Sequence, residues 1–328
     1  MTGGYPVQEL CRRCSFEEVA YLQWHGELPT REQISAQHRA ERAQRVLGPE
    51  IADAIVGQPF AADPLDTLHA VVTLLGANDP AAQEISPGAI RAKALRLFAV
   101  LPTVIAMDQR RRHGLGAVAP RDHLGYAANF LYMTFGKVPE PQVVAAFETS
   151  LVLHAEQSFN VSSSTGRAVT SAISGFYSAV TAAIDALKCP EPGPASVCEA
   201  VVDMMAEIAI PDNVEPWLEE GLGAGRKITG FGHCSHKNGD PRVPAMRAAL
   251  GMIAGLRGGR DIIEIYDALA AAMYDARGLR PNLGYPAGPS YRLIGFDTPT
   301  FAPIFFAACL PGWTARIVER LSGGDSSR

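Results

Sequence analysis

The sequence predicts an all-α protein, with a large helical domain and a smaller helical domain inserted in it. Three observations carry this. Alanine is abundant and alternating Val/Ile/Thr runs are scarce, a composition that favours helices over strands. Helix-start signals recur along the chain. Two proline- and glycine-rich clusters, Cys189–Pro194 and Arg280–Pro289, bracket the stretch between them, and such clusters interrupt helices. The expected division is therefore 1–187 with 291–328 as the large domain and 188–290 as the small one. At 328 residues the chain can bury a sizeable core in either arrangement.

The elements follow in order. Ser15-Phe-Glu-Glu18 and Thr30-Arg-Glu-Gln33 read as capping boxes, each starting a helix. Asp63-Pro64-Leu-Asp66 places a cap, a first-turn proline and an acid before an apolar run that Gly76 can close. Pro141 opens a helix with Val143, Val144, Phe147 and Leu151 on one side, ending near His154. A long helix is expected over Ala168–Leu187, then a hinge-like loop over Cys189–Pro194. A second helical region runs from about Ser196 to about Arg277. The tail from Tyr291 returns to apolar helix and frays at its end.

Bulk properties exclude several classes. Apolar residues make up 47% and charged residues 19%, with a net charge of −5, so nothing indicates a nucleic-acid binder. The least charged long run, Ala168–Ile184, is too short and too hydroxylated for a membrane span. The six cysteines are sparse, and no secretory leader is recognisable, so reduced thiols in a cytoplasm are expected. Cys11-Arg-Arg-Cys14 is a lone CxxC without a second pair at matching spacing, so no metal site is expected. Gly221-Leu-Gly-Ala-Gly225 lacks the strand and spacing of a dinucleotide loop and reads as the end of a helix.

The stretch with the most chemistry is Gly-Phe-Gly-His-Cys-Ser-His-Lys-Asn-Gly-Asp-Pro-Arg, residues 230–242. Gly230 and Gly232 let the backbone approach a ligand closely. His233 can move a proton near neutral pH, and Arg242 can fork onto a carboxylate. That mix suits binding a small carboxylic acid and polarising a carbonyl.

Five segments resemble the citrate synthase family, which includes the 2-methylcitrate synthases. They are Ser15–Thr30, Leu124–Asn160, Ser178–Lys188, Gly230–Arg242, and Tyr291–Phe296 with Phe301, Pro303, Gly312 and Trp313. The resemblance implies an all-helical homodimer that joins an acyl-CoA to the ketone of a 2-oxo acid, then hydrolyses the thioester. It implies a coenzyme A thioester as co-substrate and no tightly bound cofactor. In this family one side chain removes a proton from the acyl group, one histidine stabilises the enol, and a second polarises the ketone.

Carried over residue by residue, the resemblance puts His233 on the ketone-polarising histidine. Arg242 and Arg292 fall on arginines that grip substrate carboxylates, and an arginine amid the apolar residues around Arg292 needs a partner if buried. Lys237 falls on a coenzyme A phosphate contact, with Lys227, Gly230 and Gly232 completing the expected coenzyme site. His154 falls on the first histidine of a His-x-Glu-His pattern whose second histidine is Gln157 here. Two departures matter more. Where the family has its enol-stabilising histidine this chain has Pro192, and where the family has its general-base aspartate this chain has Gly284. The tail also ends before an Arg-Pro-Arg-like motif, leaving Arg316 and Arg320 as the nearest arginines in sequence.

Three readings follow from these losses. One is an acyltransferase with altered chemistry, using a donor that loses CO₂ or a replacement base. Glu191 is the candidate base, with Cys189, Cys198 and Cys234 as alternatives. Another is a non-catalytic paralogue that binds carboxylate or coenzyme A or regulates an intact synthase. The last is a weak but genuine citrate or methylcitrate synthase.

Overall fold

The computed structural model describes residues 4–155, 175–188, 194–233 and 236–323. Among them the regular structure is helical, with no β-sheet. The helices are α1 (Val7–Arg13), α2 (Phe16–His25), α3 (Arg31–Arg42), α4 (Pro49–Val56), α5 (Pro64–Ala77), α6 (Pro87–Arg112), α7 (Tyr126–Phe135) and α8 (Pro141–Ala155). They continue with α9 (Phe176–Leu187), α10 (Pro194–Ile208), α11 (Val214–Gly223), α12 (Val243–Arg257), α13 (Arg260–Arg277), α14 (Gly284–Ile294) and α15 (Phe301–Gly323). The chain forms two compact units: Met1–Pro139, Leu151–Pro190 and Ala302–Arg328 make the first, and Glu140–Ser150 with Glu191–Phe301 the second.

The start signals act as read. Ser15 accepts from the Glu18 N–H at 3.2 Å while the Glu18 carboxylate accepts from the Ser15 N–H at 2.7 Å, and Thr30 and Gln33 do the same for α3. Asp63 caps α5 by accepting from the Leu65 N–H. Gly76, expected to close α5, lies inside it, and the helix ends at Asn78. The reason is packing: a Cβ at Gly76 would lie 2.8 Å from the Tyr177 ring of α9. Residues 168–174 and the hinge at 189–193 lie outside the described residues; the helix expected there is described only from Phe176.

In the first unit, Phe16, Trp24, Phe98 and Tyr126 form an aromatic cluster with centroids 4.3–5.6 Å apart. Such rings contribute most of the burial energy of a core. Beside it Arg45, fully buried, pairs with Glu41 at 2.8 Å and donates to the carbonyls of Arg121 and Leu124. Pairing offsets the cost of burying the charge, although among the described residues Arg45 Nη2 and Glu41 Oε2 still lack a hydrogen-bond partner. Trp24 Nε1 donates to Thr314 Oγ1 at 2.8 Å, tying α2 to α15. One stretch, Thr298–Glu319, is apolar and long enough to cross a membrane, but 89% of its apolar window is buried inside the protein, as a core helix would be.

The second unit reaches beyond the 188–290 expected. It takes in Glu140–Ser150 and continues to Phe301, because Phe147 of α8 packs 5.3 Å from Phe296 and Tyr291 packs 5.4 Å from Phe301. The turn cluster at Arg280–Pro289 is also half helix. Pro286 lies in the first turn of α14, where a proline removes no intrahelical hydrogen bond, and Pro289 lies in its interior, where it removes one. Helices α10 and α14 approach very closely: a Cβ at Gly288 would lie 2.3 Å from the Cys198 carbonyl oxygen.

Candidate active site

The site of the second unit is built on two loops that run side by side. Phe231 and Pro281 form an isolated antiparallel bridge. The Gly232 N–H donates to the Arg280 carbonyl and the Asn282 N–H to the Gly230 carbonyl, both at 2.8 Å. Asn282 Nδ2 adds a bond to the Gly232 carbonyl, and its Oδ1 accepts from the Gly284 N–H. Gly230 has φ +94° and a Cβ there would lie 2.8 Å from the Tyr285 ring and 2.9 Å from Val201. Only glycine meets both the left-handed backbone and that approach. The Phe231 ring then lies 4.6 Å from Tyr285, so the loop that carries His233 is anchored from the core side.

His233 follows directly. Its Nδ1 accepts from the His236 N–H at 3.2 Å. That contact favours a proton on Nε2, while Arg242 Nη2, itself a donor, lies 3.5 Å from the same Nε2. Burial lowers the His233 pKa, Asp240 opposes that, and Arg242 and His236 reinforce it, leaving the value below the ordinary histidine range. The ring is therefore neutral at physiological pH, as a group that polarises a carbonyl by donating a hydrogen bond should be.

Arg242 is buried and pinned. Its Nε and Nη2 bond the two carboxylate oxygens of Asp240 at 2.9 and 2.7 Å, and its backbone N–H donates to Asp240 Oδ1. Burial pushes the Asp240 carboxyl up, but the bonds and charge of Arg242 outweigh it and hold the carboxyl below its usual range. Two nitrogens of the fork expected for substrate are thus taken by Asp240, and Nη2 lies 3.5 Å from His233 Nε2. The pair fixes a positive charge beside His233.

The other expected positions fall as follows. Lys237 is exposed in the turn closed by the Gly239 N–H to the His236 carbonyl, and Lys227 is exposed after α11. Gly221–Gly225 closes α11, a helix end as read. Arg292, expected amid apolar side chains, is instead exposed in the last turn of α14, because the apolar neighbours Tyr291 and Ile294 turn inward and leave it outside. His154 belongs to the first unit, where it is buried with its ring edge-on to Phe305 at 5.5 Å and its carbonyl accepting from Cys309 Sγ. Gln157, Glu191, Pro192, Cys189 and Cys234 lie outside the described residues. Cys198, weighed as a replacement base, is fully buried and its thiol is pushed up to about 12 by burial, which removes the thiolate that such chemistry requires.

Position 284 is closed as well as empty. A Cβ at Gly284 would lie 2.5 Å from Val197 Cγ1 of α10, far inside van der Waals contact. Sequence reasoning missed three participants here. Asp240 and Asn282 are visible in the motifs, but their partners are set by folding. His236 stands three residues after His233, with its ring at a centroid distance of 4.6 Å from the His233 ring.

Comparison with known proteins agrees with this geometry. The family model described as the citrate synthase C-terminal domain matches residues 2–328. A 2-methylcitrate synthase of Mycobacterium tuberculosis is 48% identical over 97% of this chain and 80% of its own. A citrate synthase of Mycolicibacterium smegmatis is 47% identical over 97% of this chain and 84% of its own. The crystal structure of a citrate synthase from Pyrobaculum aerophilum superposes with a TM-score of 0.88 at 31% identity, covering 99% of this chain and 83% of that one. A Thermoplasma acidophilum citrate synthase, solved as a ternary complex with carboxymethyl coenzyme A and oxaloacetate, gives 0.89 at 26% identity over 97% and 85%. The family-model match over residues 2–328 and these relatives, with the all-helical fold, show that the chain belongs to the citrate synthase family.

Proposed function

We propose that this protein is a citrate synthase-like acyltransferase with altered chemistry, acting as a homodimer in the cytoplasm on an acyl-CoA thioester and a small 2-oxo acid. The observation that carries the reading is the setting of His233: its Nδ1 accepts from the His236 N–H, burial lowers its pKa, and Arg242 Nη2 lies beside its Nε2. That arrangement suits polarising a ketone while a carbon nucleophile attacks it. The relatives named above support the substrate class. In this reading the exposed Lys227, Lys237 and Arg292 supply positive charge for the coenzyme phosphates and the substrate carboxylate. Gly230 and Gly232 bring the backbone close, and His154 and Gln157 contribute hydrogen bonds to the oxo acid.

The chemistry departs from the family at the donor. A positioned base and an acid partner each contribute about 10²–10⁴-fold to a proton abstraction. With Pro192 and Gly284 at those positions, a donor that forms its enolate by losing CO₂, such as a malonyl thioester, needs neither. Glu191 is the other candidate for supplying a base. The test is incubation with acetyl-, propionyl- and malonyl-CoA against a panel of 2-oxo acids, with products read by mass spectrometry and with His233→Ala as control. A condensation product that depends on His233 is expected. Turnover unchanged in His233→Ala would overturn the reading.

A second reading, a paralogue that binds without turning over, is favoured by the filled space at Gly284. Calorimetric binding of coenzyme A and oxaloacetate with no product from any donor would establish it.

A further inference from the structure

We propose that His236 is the proton acceptor for non-carboxylated acyl donors in this protein; the proposal rests on the acyltransferase reading above and names a catalytic residue for it. Three observations lead there. First, its ring stands beside the group that activates the ketone: the His233 and His236 centroids are 4.6 Å apart with 41° between their planes. Bond formation requires the donor carbon and the ketone carbon within about 3–3.5 Å, which draws the donor towards the group that activates the ketone, beside which the His236 ring stands. Second, the placement is fixed. The His236 backbone N–H donates to His233 Nδ1, and its carbonyl accepts from the Gly239 N–H in a tight turn. Third, among the described residues the other charged groups that act on His233 are committed elsewhere. Both Asp240 oxygens bond Arg242, Arg242 cannot accept a proton, His233 itself must donate, and position 284 has no room for a carboxylate. The His236 side chain is exposed, so its imidazole keeps access to solvent.

The step balances with groups already present. The α C–H bond of the thioester breaks and its proton goes to a His236 ring nitrogen, while the electron pair forms the enolate. The enolate carbon attacks the ketone carbon, and the ketone oxygen takes the Nε2 proton of His233. Solvent resets both imidazoles. With a malonyl thioester the C–CO₂ bond supplies the electron pair instead, CO₂ leaves, and His236 is not needed.

The experiment compares the wild-type protein with His236→Gln and His236→Ala on two donors, propionyl-CoA and malonyl-CoA, each with oxaloacetate. Loss of α-deuterium from α-dideuterated propionyl-CoA into water is followed alongside. His236 is exposed, and circular dichroism checks that both variants fold. The expected result is a fall of at least about 100-fold in propionyl condensation and in deuterium loss, a much smaller fall with malonyl-CoA, and partial recovery of deuterium loss in His236→Ala on adding imidazole. Equal falls with both donors, or unchanged propionyl turnover, would overturn the role of His236. Wild-type product from malonyl-CoA but none from propionyl-CoA would overturn it and leave the acyltransferase reading standing. No product from either donor would remove both.

Discussion

The close approach of α10 to α14 makes a quantitative claim about position 284. A methyl group added there would lie 2.5 Å from Val197 Cγ1 and 3.2 Å from Val197 Cβ. Carbon atoms favour about 3.5–4.0 Å, so the first distance is short by about 1 Å and the second is a tight but tolerable contact. Overpacking of this kind costs about 1–3 kcal/mol. Gly284→Ala is therefore expected to destabilise by that amount, although alanine suits a helix better than glycine by about 0.5–1 kcal/mol. Val197→Ala removes the offending Cγ1 and leaves only the Cβ contact. In the double variant the steric cost should largely vanish, giving a favourable coupling of about 1–2 kcal/mol, within the range for side chains in contact. Urea unfolding followed by circular dichroism and tryptophan fluorescence measures all four corners of the cycle. Additivity within about 0.5 kcal/mol, the behaviour of independent sites, would refute the claim that Val197 closes this position. The same logic reaches function. Gly284→Asp alone should not raise propionyl-CoA turnover, whereas Val197→Ala with Gly284→Asp should, because only then has the carboxylate somewhere to go.

Three further outcomes are expected. Asp240→Asn leaves the buried Arg242 guanidinium without its counter-charge, and breaking a buried pair from one side costs about 3–5 kcal/mol; urea unfolding should show it, with a much smaller cost when Arg242 is also made apolar. Because the Asp240 carboxyl is held below its usual range, its stabilisation is complete above the unfolded value of about 3.9 and is lost as the pH falls through the lower folded value; an acid titration of wild type against Asp240→Asn reads that difference. Gly230→Ala should destabilise by about 1–3 kcal/mol from overpacking, because its methyl meets Tyr285 and Val201 at φ +94°, and His233-dependent turnover should fall with it.

Local signals carried the fold. The capping boxes at Ser15 and Thr30 and the proline start at Pro141 each satisfy or replace orphan helix donors within a few residues, so sequence alone places them. Gly76 was misread because its reason for being glycine is a ring from α9 about a hundred positions later, not a helix end. The proline cluster at Arg280–Pro289 was misread for a related cause. Prolines mark a break at the first turn of a helix as readily as a loop, and only the Asn282 bonds to Gly232 and Gly284 show where α14 starts. At the site, His233 and Arg242 were legible as types. That Arg242 is held by Asp240, or that Arg292 faces solvent, depends on rotamers and helix phase that a motif does not encode.

If the general base of the family falls on position 284, as the sequence resemblance implies, its absence there is a matter of packing as much as of chemistry. Gly284 and Gly288 stand one turn apart on α14, and both face α10, whose Val197 side chain and Cys198 carbonyl fill the space a Cβ would need. Restoring a carboxylate there thus means moving a helix contact, not changing one residue. The loop that holds His233 has the opposite character. Its bonds to Arg280 and Asn282 and the ring contact with Tyr285 fix it to the start of the same α14. In the proposed reading, one helix therefore both anchors the loop of His233 and leaves no room for a carboxylate at position 284. The second half of the chemistry then comes, in that reading, from the donor itself, from Glu191 or from a side chain on the His233 loop.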